Sequence, residues 1–102
     1  MTLVEFLRAR LDEDVEHAES ARTADWENRA AWEDLAPGVV YHARHFDPAR
    51  MLTEIDAKRR ILARVQHHAN LMGQDEIHGD LLRLLALPYA SHPDYRDEWR
   101  PA

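Results

Sequence analysis

From Asp47-Pro48 to Gly73 the chain holds no other proline or glycine, and apolar side chains recur along one side of a helical wheel. They are Met51, Ile55, Leu62, Val65, Ala69 and Met72, with Leu52 and Ile61 at the edges. Asp47 supplies a side-chain acceptor at the cap position, and Pro48 suits a first turn, where its missing N–H has no helical partner to lose. Gly73 is a natural stop. A stretch punctuated in this way has one regular solution, an amphipathic helix whose apolar stripe needs a cover.

The rest of the chain supplies candidates for that cover. Thr2 and Glu5 are spaced as a capping box. Leu3, Phe6, Leu7, Leu11, Val15 and Ala18 follow at helical spacing, which predicts a helix from Leu3 to about Arg22. No proline or glycine occurs between Thr2 and Ala36, so one reading continues this helix through Trp26 and Trp32; in the preferred one, Thr23-Ala24-Asp25 caps a separate helix over residues 26–35, after which Pro37-Gly38 is punctuation. In residues 39–46, Val39, Val40 and Tyr41 favour a strand, but a short strand has no evident partner, so a helical turn is expected. Residues 74–80 read as a polar loop, with Asp80 as cap. Leu81–Leu87 then packs five leucines into seven residues, and a helix apolar on all sides belongs between others, at the centre. Pro88 ends it. Tyr89, Tyr95 and Trp99 form a tail suited to lie as a strap across the bundle. The expected fold is all-α: one helical domain over residues 1–102, a three-to-four-helix bundle with a C-terminal aromatic strap.

Composition narrows the chemistry. With 102 residues the chain is long enough for one modest core. It has no cysteine, which removes disulfides, thiolate metal sites and cysteine nucleophiles. No apolar run approaches the ~18 residues of a membrane span, and no secretion signal is visible, so a cytoplasmic protein is expected. Net charge is −6, unevenly spread. Residues 1–36 hold ten acids against four bases, and residues 37–72 hold three acids against six bases. The two segments attract if packed antiparallel, although exposed pairs contribute only about 0–1 kcal/mol each. The overall sign argues against bulk nucleic-acid binding, which needs a basic surface.

Three blocks carry a resemblance: VEFLRARLDED at Val4–Asp14, DPARMLTEIDAKRRIL at Asp47–Leu62, and LLRLLALPYASHPDYRDEWRP from Leu81. Their pattern resembles a family of small uncharacterised actinobacterial and actinophage proteins with a domain of unknown function. The family's H-x-A-R-H-D-P-A-R run aligns with His42 onwards, with Phe46 as an extra residue. The resemblance implies no activity. Some relatives place cysteine and histidine pairs before the leucine helix, which implies a small metal-binding insert. Here residues 73–80 hold no cysteine and offer Asp75, Glu76 and His78.

Several constellations are candidate sites. Lys58, the only lysine, lies within the apolar stripe four residues after Glu54, and Arg10 and Asp14 lie four apart in the stripe of the first helix. If the stripes face each other, Arg10, Asp14, Glu54 and Lys58 make a semi-buried polar cluster. Alternatively, Lys58 packs its stem and extends its ammonium to the rim. Seven histidines are many for this length. His42 and His45, with His67 and His78, form a candidate zinc set, since helical ligand pairs fall three or four apart. Arg59, Arg60 and Arg64 form a basic patch: a docking site for an acidic protein, or a partner for the acidic first helix. The spacings Arg60–His67 and Arg10–His17 are similar to the active-site pattern of the higher-eukaryote-and-prokaryote nucleotide-binding ribonucleases. Such spacings also arise by chance among twelve arginines and seven histidines. No nucleophile elbow, phosphate loop or glycine fingerprint occurs.

Two functions follow as expectations. The first is a non-catalytic interaction or accessory module with a protein partner or a second copy of itself. The alternative is a small metal-binding or ribonuclease-like helical enzyme using the histidines.

Overall fold

A computed structural model describes residues 1–22, 37–38 and 47–102. The described residues contain three long elements, α1 (Leu3–Arg22), α2 (Pro48–Met72) and α3 (Glu76–Ala86), followed by 3₁₀ turns at Leu87–Tyr89 and Asp97–Trp99. No strand occurs among them, so the protein is a small all-α domain. The expected helix over residues 26–35 and the turn over 39–46 lie outside the described residues.

α1 begins as its cap dictates: Thr2 Oγ1 accepts from the Glu5 amide at 3.1 Å, and the Thr2 carbonyl accepts from Phe6 N at 2.9 Å. Its inward face is Phe6, Leu7, Leu11 and Ala18, all buried. α2 starts at Asp47, whose Oδ1 accepts from Arg50 N at 2.8 Å, with Pro48 in the first turn. Ile55, Leu62 and Ala69 are buried at intervals of seven, a single seam against α1 and α3. Met72 and Ile61, read as stripe and stripe edge, stand in solvent. Gly73 ends α2 with φ +83° and ψ 161°, a conformation that costs a side-chain-bearing residue about 1–3 kcal/mol, and its N–H reaches Ala69 O at 2.8 Å.

Two expectations about the third helix are corrected. α3 starts at Glu76, not after Asp80, because Asp75 caps it and accepts from His78 N at 2.8 Å. Gly79 is therefore helical, and residues 74–80 are mostly not loop. Nor is the leucine run the hub. Leu82 and Ala86 are buried and Leu85 is half-buried, but Leu81 is 40%, Leu84 54% and Leu87 41% exposed. The reason is geometric. α3 packs on α1 and α2 from one side, which uses only half the circumference of a helix that is apolar over much more.

The hub is Phe6, fully buried, and the aromatic tail closes over it as expected. Ring centroids lie 6.3 Å away for Tyr89, 5.7 Å for His92, 5.9 Å for Tyr95 and 5.0 Å for Trp99. The first three contacts are edge-to-face, the arrangement ring quadrupoles favour. Successive i→i+3 bonds, such as His92 N to Tyr89 O at 2.9 Å and Tyr95 N to His92 O at 3.0 Å, fold the tail into place. Arg100 lies 5.7 Å over Tyr95 and Arg96 5.6 Å over Trp99, covering the outer ring faces.

Candidate interaction surface

The starting point of α3 decides what it presents outwards. With Asp75 as cap, Ile77, Leu81 and Leu84 fall at i, i+4 and i+7, one stripe down the helix. Ile77 is 68% exposed. Just before it, Leu71 and Met72 end α2 at 70% and 75% exposure. Leu87, which opens the 3₁₀ turn, is also exposed, at 41%. Isolated exposed leucines need no explanation, but an aligned row on an ordered helix is the kind of patch that marks contact with another molecule. Asp80 and Arg83 border the row on one side, 4.0 Å apart.

The four residues of the candidate polar cluster have different partners. Asp14 Oδ2 accepts a 2.5 Å hydrogen bond from the Tyr89 hydroxyl, tying α1 to the tail. Burial, and then this bond to a carboxylate, push the Tyr89 hydroxyl far above its ordinary range. Arg10 Nε stands 3.2 Å from Glu13 Oε2, an ion-pair distance, yet neither Nε nor Nη1 makes an aligned hydrogen bond. Its guanidinium lies 5.3 Å over the Phe6 ring. Glu54 pairs with Arg50 at 3.3 Å. Lys58 is half-buried and lines a void of ≈ 10 Å³ with Leu7, Leu11, Leu62 and Leu85. That space is no larger than a water molecule needs.

In the basic patch, Arg59 pairs with Asp12 of α1 and Arg60 with Asp56 at 3.0 Å, while Arg64 is exposed. The Arg59–Asp12 bridge crosses between the acidic and basic segments. It borders a shallow groove of ≈ 230 Å³ between Arg8, Leu11, Asp12, Arg59, Leu62 and Ala63.

Of the candidate zinc ligands, His42 and His45 lie outside the described residues. His67 is exposed, as is its neighbour His68. His78 is buried in the first turn of α3, its Nε2 2.8 Å from Gln66 Oε1. Among the described residues, no three histidine, aspartate or glutamate side chains converge as a metal site would require. Also among the described residues, no helix is long and apolar enough to cross a membrane.

Sequence reasoning missed Ile77 and Leu71 as surface residues and the Tyr89–Asp14 bond. Asp75, three residues before His78, was the signal for the earlier helix start, and from that start the outward stripe follows by counting.

No curated protein and no solved structure matches the chain. The family of unknown function DUF6221 matches residues 1–101, and the chain belongs to that family.

Proposed function

We propose that this protein is a small helical interaction module, without catalytic activity of its own, that docks through the outer face of α3. The observation that carries this reading is the row Ile77, Leu81 and Leu84 on a well-capped helix whose opposite face is already in the core. Full burial of a large aliphatic side chain is worth roughly 1.5–3 kcal/mol, and a partner's cover would supply the part of it that the exposed fraction of each residue leaves unrealised. Three polar contacts tie elements of the fold to one another: Asp14 with Tyr89, Arg59 with Asp12, and the His78 amide with the Asp75 cap. The cytoplasm is the compartment proposed for it, and kinship with actinobacterial and actinophage proteins rests on the sequence blocks alone.

The test is site-directed photo-crosslinking in the native host. Leu84→p-benzoylphenylalanine should give a discrete adduct, and the same photoreactive residue at Arg60, on α2 away from the row, should not. Equal labelling at both positions, or none at Leu84, would remove the docking reading.

A further inference from the structure

We infer that the occupant of the α3 face is a second copy of this chain, with the two α3 helices antiparallel across a two-fold axis near Leu81. This rests on the docking reading above and names the partner.

The argument is one of self-complementarity. A two-fold interface requires each patch to match itself, so that residue i meets j and j meets i. In an antiparallel helix pair, the same flank of each helix faces its counterpart. With Leu81 near the axis, Ile77 of one copy packs beside Leu84 of the other, which closes the apolar row on itself. Asp80 and Arg83 lie on one flank of that row, three residues apart. The same axis sets Asp80 of each copy opposite Arg83 of the other, giving two opposite-charge pairs. Within one chain this pair is long, at 4.0 Å, and both side chains are open to solvent, so each is free to reach across. A patch bearing one sign of charge would repel its own copy; this one attracts it. The eleven residues of α3 extend only about 16 Å, so the contact is at the small end of specific interfaces and a micromolar or weaker dimer is expected.

Sedimentation of the full chain over a concentration series tests this. The expected result is a concentration-dependent monomer–dimer equilibrium. Leu84→Glu should weaken it roughly a hundredfold, because two carboxylates are brought into an apolar contact. Asp80→Arg alone and Arg83→Asp alone should each weaken it about tenfold, since each places like charges opposite one another twice. An equimolar mixture of those two single variants should associate again, because every crossing pair is then opposite in sign. Three results overturn the inference: a monomer up to millimolar concentration, a dimer indifferent to Leu84→Glu, or a mixture no tighter than its components. Should the chain be monomeric, anilinonaphthalene sulfonate separates the two levels. Dye bound by the wild type and lost in Leu84→Glu leaves the docking reading standing with a different partner. No dye binding means that the chain covers its own row, and both readings fall.

Discussion

Leu82 and Leu84 sit two residues apart in one helix and are chemically identical, yet Leu82 is 4% exposed and Leu84 54%. The aromatic corner around Phe6 and the leucine row on α3 show the same division on a larger scale. In the corner, one ring from α1 gathers three aromatic rings and an imidazole from the tail, and the outer faces are roofed by arginines. On the outer side of α3, side chains of comparable hydrophobicity stay 40–68% exposed at Ile77, Leu81 and Leu84. Apolar composition therefore does not decide burial here. Whether a second element reaches the residue does, and the tail reaches Phe6 while no described element reaches Leu84.

The sharpest way to break the comparison is at its centre. Phe6→Ala should destabilise the fold by about 3–5 kcal/mol, because it removes the ring on which four others rest and leaves a cavity that a helix cannot collapse into. Urea unfolding gives the value; a loss near that of an exposed residue would mean that the corner is not the core.

Tyr89 is the next largest effect. Tyr89→Phe deletes the hydroxyl that donates to Asp14 and should cost about 1–3 kcal/mol. The same bond has a pH signature. The folded protein holds the Tyr89 proton more tightly than the unfolded chain, so its contribution is complete below the ordinary tyrosine range near 10 and fades as pH rises beyond it. Thermal melts should therefore weaken from about pH 10 upwards in the wild type and less in Tyr89→Phe. Tyr95 in the same tail is the control. Its buried hydroxyl makes no hydrogen bond, so Tyr95→Phe should leave stability unchanged or slightly raised. Equal losses at both tyrosines would contradict the assignment of their hydroxyls.

The smallest effect concerns α3 itself. Gly79 lies inside the helix without a positive φ, and a methyl group there would meet only the flexible end of Arg83 at 3.8 Å. Gly79→Ala should stabilise the protein by about 0.5–1 kcal/mol, as read from the unfolding midpoint. A loss instead would show that something presses against α3 on that side.

Much of this fold is legible in the chain. α1 and α2 end where Thr2, Asp47 and Gly73 indicate, because caps are local chemistry and need no tertiary partner to act. The tail closes on the core because rings of that size find few other places to bury. The start of the leucine helix is less legible, for a different reason. Asp75 and Asp80 are both competent caps, and choosing the later one hides the stripe that Ile77 begins. Five leucines in seven residues also say nothing about how many neighbours the helix will have. The scattered partners of Arg10, Asp14, Glu54 and Lys58 depend on rotation of α1 against α2 and on where the tail returns, quantities that spacing within one helix does not contain.

The central claim is that α3 has one face in the core and one face free to meet a partner. The difference in unfolding free energy between Leu82→Ala and Leu84→Ala, measured in dilute protein so that association plays no part, tests it most directly. Leu82→Ala should cost about 2–5 kcal/mol and Leu84→Ala less than about 0.5 kcal/mol. Comparable losses at the two positions would mean that the row is already buried within a single chain, and the account would be wrong.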